Sequence, residues 1–154
     1  MYIKEIDEKE EKREISTNIL KALPDWFGIP ESVQEYINGC IELPFFAAID
    51  GTKPLGFIVM KENNQYTAEI YVMGVLPDHH GQGIGKALFN RAYSWAREVG
   101  YEYMQVKTLD ESHPDINYAK TRKFYFSIGF RPLECLPELW GKENPCLIMV
   151  QHIL

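Results

Sequence analysis

The first third of the chain orders its hydrophobic and polar positions in a way that predicts one short strand followed by two helices. Residues 2–6 alternate with the period of two that is typical of a strand. Asp7 is placed to cap a helix that runs to about Leu23, where the following proline stops it. Pro30, followed by an acidic residue, indicates a second helix that is expected to end near Gly39.

The middle of the chain contains three apolar runs that predict three consecutive strands. Residues 45–50 and 55–61 are separated by Asp50-Gly51, a dipeptide that is typical of a hairpin turn. Residues 65–75 form the third run. Gly74, close to the end of this run, indicates a bulge or a place where a ligand approaches the backbone closely.

After the third strand the hydrophobic period changes to that of a helix. Residues 102–108 then predict a strand parallel to the third one, residues 117–128 a further helix, and residues 146–153 a last strand. Consecutive strands followed by one strand-helix-strand unit predict an α/β (α+β) fold with a mixed sheet and helices packed on it. The helix that directly follows the third strand is predicted to end at Gly100. Its hydrophobic residues recur every three or four positions on one face, at Ile84, Leu88, Ala92, Trp95 and Val99.

Length and composition predict one domain and argue against several classes of partner. A chain of 154 residues that is 45% hydrophobic can bury a substantial core, so we expect a single domain over residues 1–154. The net charge is −6 and the 16 Lys and Arg residues are scattered, so we expect no nucleic-acid partner. No window approaches the roughly 18 apolar residues of a membrane span. We therefore expect a cytoplasmic protein without a membrane partner.

The cysteines do not form a recognisable framework. Cys40, Cys135 and Cys146 are widely spaced, odd in number and not part of a CxxC pair. This pattern indicates a reducing compartment and predicts that the three side chains serve in packing.

The most informative stretch runs from Val75 to Leu88, with the sequence VLPDHHGQGIGKAL. Gly81, Gly83 and Gly85 lie between a strand end and a helix start, where they leave the backbone amides accessible. The first turn of the helix adds unpaired N–H groups and the positive end of the helix dipole. The stretch therefore predicts an anion site, most plausibly for a pyrophosphate.

The spacing of these glycines argues against two common phosphate loops. The nucleoside-triphosphate loop needs G-x-x-x-x-G-K followed by Ser or Thr, whereas Gly81 and Gly85 are one residue too close and Ala87 follows Lys86. The dinucleotide fingerprint G-x-G-x-x-G also fails, because the third glycine comes one residue early. The adjacent His79 and His80 are read as an exposed loop pair in preference to a metal site, because no further ligands cluster near them.

Two segments of the chain resemble signatures of the Gcn5-related N-acetyltransferase (GNAT) superfamily. The run from His80 to Gly85, HGQGIG, resembles its acetyl-CoA signature Q/R-x-x-G-x-G/A, with histidine where Gln or Arg is usual. Farther on, Phe124-Tyr125 followed by Ile128-Gly129-Phe130 resembles its FYxxxGF segment. The two signatures stand in the correct order, about 40 residues apart, so the chain is identified as a member of the superfamily.

The resemblance implies a fold, a reaction and a set of cofactor residues. The fold would be a mixed, mostly antiparallel sheet of six or seven strands flanked by about four helices. The reaction would transfer an acetyl group from acetyl-CoA, without a metal, to an amine that attacks the thioester directly. Asn117 lies one place before the position at which the family carries a cofactor-binding Asn, which here is Tyr118. The implied cofactor residues are Val75, His80, Gly81, Gln82, Gly83, Ile84, Gly85, Lys86 and Asn117.

Two side chains resemble the catalytic groups of the family. A lysine-like amine has a pKa of about 10.4, so a base or a water relay must remove a proton before it attacks. Glu69 precedes Val75 by six residues, the offset at which the histone-acetylating members of the family carry a glutamate base, although it would also fit an outward-facing strand carboxylate. Tyr125 resembles the family's acid, which protonates the leaving thiolate, although it would also fit the core face of a helix. The oxyanion would meet the backbone N–H of Val75.

Aromatic side chains near the N-terminus are candidates for the acceptor site. Trp26 and Phe27 follow Asp25, a combination that suits a cationic amine, and Tyr71 shares a strand face with Glu69. The alternative is that Trp26 and Phe27 are ordinary core or lid residues. The acceptor is expected to be a small-molecule or peptide amine, and the edge strands are compatible with a homodimer. The rival hypotheses are a non-catalytic acyl-CoA-binding module and an ATP- or GTP-binding protein.

Overall fold

The computed structural model describes residues 1–154 and contains seven strands and four helices. A short 3-10 helix, Pro77–His79, precedes α3. The elements in chain order are β1 (Tyr2–Glu5), α1 (Lys9–Lys21), α2 (Pro30–Cys40), β2 (Phe45–Asp50), β3 (Lys53–Asn64), β4 (Thr67–Val75), α3 (Ile84–Val99), β5 (Tyr103–Leu109), α4 (Ile116–Ser127), β6 (Arg131–Leu136) and β7 (Cys146–His152).

The strands form one mostly antiparallel sheet in the order β1-β2-β3-β4-β5-β7-β6. The pairs β1–β2, β2–β3, β5–β7 and β6–β7 are antiparallel. The predicted fold class is therefore confirmed. The chain forms two compact units, a first unit of Met1–Lys61 and Ile70–Trp95 and a second unit of Glu62–Glu69 and Ala96–Leu154. No helix combines the length and the apolar character needed to cross a membrane.

The core of the first unit is built by the two N-terminal helices and the strands that follow them. The predicted hairpin between β2 and β3 is confirmed, because Gly51 turns the chain with φ 64° and Phe45 pairs with Val59. Phe45 and Phe57 stack with ring centroids 5.2 Å apart. The buried set is Ile6, Ile15, Ile19, Leu20, Leu23, Val33, Ile37, Cys40, Phe45, Ala47, Ile49, Phe57, Val59 and Val72.

The start of α1 and the role of Gly74 differ from the predictions. Glu8, not Asp7, is the N-cap residue of α1, and no side chain caps this helix. Gly74 is close to the protein's own core, since a Cβ atom there would lie 2.9 Å from Leu23 Cδ1 and 3.2 Å from Ile19 Cγ2. The predicted close approach at Gly74 is therefore made by Ile19 of α1 and by Leu23, which follows α1, not by a ligand.

The third helix, α3, has the predicted bounds, but one residue of its predicted hydrophobic face is exposed. Ile84, Leu88 and Ala92 are buried, whereas Val99 is 56% exposed. The chain reverses at Gly100 with φ 107°, and Tyr101, only 9% exposed, is buried in place of Val99. Val99 therefore lies outside the buried part of this face.

The second unit contains a strand that the hydrophobic pattern did not predict. β6 pairs with β7 from Arg131↔Val150 to Leu136↔Cys146, with an irregularity between Pro132 and Glu134. The first four residues of β6 are exposed, so no apolar alternation indicates it. The predicted final strand is confirmed, although β7 ends at His152.

Burial accounts for two of the three cysteines. Cys40 and Cys146 are buried and Cys135 is half-buried, and none forms a disulfide. Burial raises the pKa of the Cys40 thiol to about 12 and that of Cys146 to about 11. At neutral pH both are therefore protonated packing groups.

The fourth helix begins with a side-chain cap that gives a direct test of its stability. Asp115 accepts hydrogen bonds from the backbone N–H groups of Asn117 at 2.8 Å and Tyr118 at 3.1 Å. We expect Asp115→Ala to lower the free energy of unfolding by about 1 kcal/mol, because two N–H groups lose their acceptor. Urea unfolding would measure the loss. The matched control is Asp7→Ala, which removes an aspartate that caps nothing and should leave stability unchanged. Equal losses in the two variants would contradict the capping role.

Candidate functional site

The glycine loop, His80–Gly85, follows the 3-10 helix after β4 and includes the first two residues of α3. Gly81 and Gly83 adopt φ values of 75° and 80°, a region that other residues enter only with strain. No atom lies within 4 Å of a Cβ built at either glycine, so their backbone faces open space. The N–H of Ala87 donates to the carbonyl oxygen of Gly83 at 3.0 Å, which starts the helical hydrogen bonding. The preceding N–H groups at the start of α3 are the ones a helix leaves without a partner.

The side chains of this loop point to different surroundings. Ile84 is only 4% exposed, so its side chain belongs to the core and only its backbone can meet a ligand. Gln82 Oε1 lies 3.3 Å from His79 Nδ1, and Gln82 Nε2 donates to the carbonyl oxygen of Asp78 at 3.4 Å. Lys86 is exposed on the first turn of α3. A ligand at this loop would therefore meet backbone groups and one exposed ammonium.

His80 is tied to the end of its own strand. Its Nε2 lies 2.7 Å from the carbonyl oxygen of Val75, a contact that requires a proton on Nε2. Its ring also meets the ring of Trp26 edge to face, with centroids 5.6 Å apart and an interplanar angle of 80°. His80 is exposed, as predicted for this loop pair. No group of three or more His, Cys, Asp or Glu side chains is placed to hold a metal ion.

Aromatic side chains from three elements of the first unit form the aromatic cluster: Phe27, Tyr36 and Tyr71. The Phe27 and Tyr36 rings lie 5.9 Å apart and the Tyr36 and Tyr71 rings 5.4 Å apart. The hydroxyl of Tyr71 donates to the carbonyl oxygen of Glu35 at 3.4 Å, and Lys61 Nζ lies 5.7 Å from its ring centroid. Desolvation is the largest cause of a raised Tyr71 pKa, so the phenol stays protonated at neutral pH.

Gly39 has a role beyond the predicted one. The prediction that the helix ends near Gly39 is confirmed, because α2 ends at Cys40. A Cβ atom at position 39 would overlap the hydroxyl oxygen of Tyr71. Gly39 therefore makes room for Tyr71 against α2, and a glycine inside an otherwise helical pattern was the available signal for this close approach.

Glu69 lies in a buried polar cluster of the second unit. It is 4% exposed, which rules out the alternative of an outward-facing carboxylate. Its Oε1 accepts hydrogen bonds from Asn63 Nδ2 at 2.9 Å and Gln105 Nε2 at 2.7 Å, and Lys107 Nζ lies 3.2 Å from its Oε2. The sequence reasoning missed these three partners. The signal for two of them is the polar pair Gln105 and Lys107, which alternate along an otherwise apolar strand.

Tyr125 is the one buried residue of α4, with 7% of its surface exposed. Its ring lies 5.7 Å from those of Phe124 and Phe130. Phe124 and Ile128 are only half-buried, so Tyr125 is singled out on this helix and is not one member of a broad apolar face. Asn117 lies in the first turn of the same helix and is half-buried.

The predicted site residues are divided between the two units. The first unit contains Val75, the glycine loop, Lys86, Trp26, Phe27 and Tyr71, and within it Trp26 contacts His80. The second unit contains Glu69, Asn117 and Tyr125. Tyr36, which joins Phe27 to Tyr71, was not predicted, and its place among the polar residues of α2 offered little signal.

Comparison with known proteins identifies the family. The model of the acetyltransferase (GNAT) family matches residues 11–124, which is most of the chain. The chain belongs to this family. The predicted membership is thereby confirmed, and the match includes both the glycine loop and the start of the FYxxxGF segment.

One curated relative and two solved structures are similar to this GNAT-family protein, and the solved structures share its fold. An uncharacterized N-acetyltransferase from Methanocaldococcus jannaschii is 31% identical over 96 residues, which cover 58% of this chain and 40% of the relative. The chain thus spans less than half the length of this curated relative. A GNAT-family protein from Desulfovibrio desulfuricans superposes with a TM-score of 0.84 at 17% identity, covering 99% of both chains. The yncA protein of Salmonella typhimurium, solved with its cofactor acetyl-CoA, gives a TM-score of 0.73 at 17% identity, covering 99% of this chain and 94% of that one.

The ion pair of Glu69 and Lys107 gives a second test of stability. Glu69 has 5% of its side chain exposed and Lys107 has 27%, so removing the ammonium leaves a poorly solvated carboxylate. We expect Lys107→Met to lower the free energy of unfolding by about 2 kcal/mol, less than a fully buried pair would lose. Urea unfolding would measure this loss, and adding Glu69→Gln should restore part of the stability because the uncompensated charge is gone.

The matched control for this pair is Lys9→Met. Lys9 and Glu42 also form an ion pair, at 2.7 Å, but their side chains are 62% and 68% exposed. Water replaces such a partner readily, so this variant should unfold like the wild type. A loss in Lys107→Met no larger than in Lys9→Met would show that the buried pair does not stabilise the second unit.

Proposed function

We propose that this GNAT-family protein is an N-acetyltransferase that moves the acetyl group of acetyl-CoA to an amine. The observation that carries the proposal is the glycine loop between β4 and α3, where two glycines with positive φ leave their backbone facing open space. Family membership supports the acetyl donor, since the loop carries the family's acetyl-CoA signature. The cofactor, the acceptor class and the roles of individual residues are part of the same proposal.

The glycine loop and the start of α3 suit the pyrophosphate of CoA. Backbone N–H groups at a helix start bind anions through hydrogen bonds and through the positive end of the helix dipole. Because these groups are fixed by the backbone, they need no charged side chain, and a histidine can stand at position 80 without loss of the site. The residues proposed to hold the cofactor are Val75, His80, Gly81, Gln82, Gly83, Ile84, Gly85, Lys86 and Asn117.

The chemistry requires one bond to form and one to break. The acceptor ammonium loses one proton, the neutral nitrogen then forms a bond to the acetyl carbon, and the nitrogen loses a second proton as the carbon–sulfur bond breaks to release a thiolate. We assign to Tyr125 the proton that the thiolate takes up. Its burial on α4 supports this role, because a side chain packed against the rings of Phe124 and Phe130 is held in a fixed position.

Glu69 remains our candidate for the base, directly or through water. Its surroundings constrain that role, because its carboxylate already accepts hydrogen bonds from Asn63, Gln105 and Lys107. The carboxylate is also only 4% exposed, which leaves little surface for an amine to reach directly, whereas a water molecule is small enough to carry the proton to the cluster. The cluster therefore favours the water relay over direct abstraction.

The acceptor is proposed to be a small-molecule or peptide amine that meets Trp26, Phe27 and Tyr71. These residues present aromatic faces, which attract cations, and Glu35 adds a carboxylate on the helix beside Tyr71. Lys61 lies against the Tyr71 ring and limits the positive charge that the site accepts on that side. A cytoplasmic location and a homodimer stay predictions from the sequence.

The experiment that tests the function is thiol release from acetyl-CoA across a panel of polyamines, aminoglycosides and peptides, followed with a thiol reagent. We expect release that depends on an amine and that falls about tenfold or more in Tyr125→Phe, because the leaving thiolate loses its proton donor. The matched control is Tyr2→Phe, which removes the hydroxyl of a tyrosine that is 53% exposed on β1 and should leave the rate unchanged.

Each alternative outcome of that experiment has a defined meaning. Equal rates of amine-dependent thiol release in Tyr125→Phe and the wild type would support acetyl transfer but would show that Tyr125 is not the acid. Acetylation only of neutral or anionic acceptors would exclude the cationic-amine hypothesis. No stimulation by any amine, although acetyl-CoA still raises the melting temperature, would favour the non-catalytic acyl-CoA-binding module.

The glycine loop itself can be tested by a single methyl group. Gly83→Ala places a Cβ atom on a residue with φ 80°, a conformation that costs a non-glycine residue roughly 1–2 kcal/mol. The loop should therefore shift, and we expect the affinity for CoA, measured by isothermal titration calorimetry, to fall about tenfold.

The control for this variant is another glycine with the same backbone conformation. Gly51→Ala introduces a methyl group at φ 64° in the β2–β3 turn, where no atom lies within 4 Å of it. This variant should lose similar stability but bind CoA like the wild type. Equal CoA affinity in Gly83→Ala and Gly51→Ala would show that the glycine loop does not form the cofactor site.

A further inference from the structure

The loop between α1 and α2 touches the glycine loop through one aromatic contact. Trp26 lies in that loop, where its backbone N–H donates to the carbonyl oxygen of Leu23 at 3.1 Å. Its ring meets the imidazole of His80 edge to face, with centroids 5.6 Å apart. This geometry is the favourable one for two aromatic rings, and it depends on how the rings are oriented. The contact joins two loops for which different ligands are proposed.

His80 also holds the backbone at the end of β4. Its Nε2 donates to the carbonyl oxygen of Val75 at 2.7 Å. The N–H of the same peptide group belongs to Leu76 and donates to the carbonyl oxygen of Leu55 at 2.8 Å. Both polar ends of this peptide group are therefore held, one by β3 and the other by His80, and the imidazole is fixed between a backbone carbonyl and the Trp26 ring.

We propose that the Trp26–His80 contact couples the two loops, so that CoA binding at the glycine loop positions the loop that carries the acceptor residues. This inference rests on the proposed function. The coupling runs through a continuous set of contacts, from the glycine loop through the imidazole to Trp26. By thermodynamic linkage, an acceptor that fixes Trp26 raises the affinity for CoA by the same factor. His80 is thus a positioning residue, and Trp26 acts on the cofactor through it.

The identity of residue 80 explains why this chain has the coupling. A glutamine there could still donate a hydrogen bond to the Val75 carbonyl, but it has no ring for Trp26 to meet. Histidine supplies both functions with one side chain. His80→Gln therefore separates them, because it can keep the backbone hydrogen bond and removes the aromatic contact.

A double-mutant cycle on CoA affinity tests the coupling without any acceptor. Isothermal titration calorimetry would compare the wild type, Trp26→Leu, His80→Gln and the double variant. We expect Trp26→Leu to weaken CoA binding about threefold, and the double variant to bind no more weakly than His80→Gln alone. The matched control Trp140→Leu removes a tryptophan that is 39% exposed in the second unit and should not change the affinity. Additive losses, or no loss in Trp26→Leu, would overturn the inference.

A second measurement avoids any dependence on how well Trp26→Leu folds. In protein labelled with 5-fluorotryptophan, CoA should shift the fluorine resonance of Trp26 in the wild type, and at saturating CoA the shift should be at least halved in His80→Gln. A shift of equal size in both proteins would overturn the coupling. If calorimetry detects no CoA binding to the wild type, the proposed function fails, so the two failures are distinguishable.

Discussion

The peptide group between Val75 and Leu76 is the constraint on which the functional end of the first unit depends. Its N–H is bonded to β3 and its carbonyl to His80, so it cannot rotate without breaking a hydrogen bond. The turn at Pro77, the two glycines with positive φ and the start of α3 all follow from the direction in which the chain leaves this group. Backbone groups held in this way do not need to reorganise when an anionic ligand arrives, and that is the condition under which fixed dipoles bind charge most effectively.

In the second unit, side chains and not backbone groups hold the carboxylate of Glu69. Glu69 is withdrawn from water and surrounded by an ammonium and two amides, which together compensate its charge and orient it. Such an arrangement holds the carboxylate in one position. The proposed anion site at the start of α3 lies in an exposed loop that faces open space, whereas Glu69 keeps its charge in a poorly solvated place.

Features with a local cause were predictable from the sequence, and features with a tertiary cause were not. The strand β2, the hairpin at Gly51 and the helix α3 follow from period and turn chemistry, and the structure has them at the predicted places. The glycine loop was predictable because three glycines at alternate positions, between a strand and a helix, indicate a turn whose backbone amides are accessible. β6 was not predicted because an edge strand with exposed residues shows no alternation of hydrophobic and polar positions. The surroundings of Glu69 escaped because Asn63 and Lys107 come from other strands, and no pattern within one strand reports its neighbours.

The close approach of α2 to Tyr71 has a consequence for how proteins of this kind diversify. The Tyr71 hydroxyl occupies the space that a side chain at position 39 would need, so these two positions can change only together. A larger residue at 39 is compatible with the same backbone only if residue 71 becomes smaller, and the exchange would open space within the aromatic cluster. If this cluster binds the acceptor, as proposed, such an exchange would change acceptor selectivity and leave the glycine loop untouched.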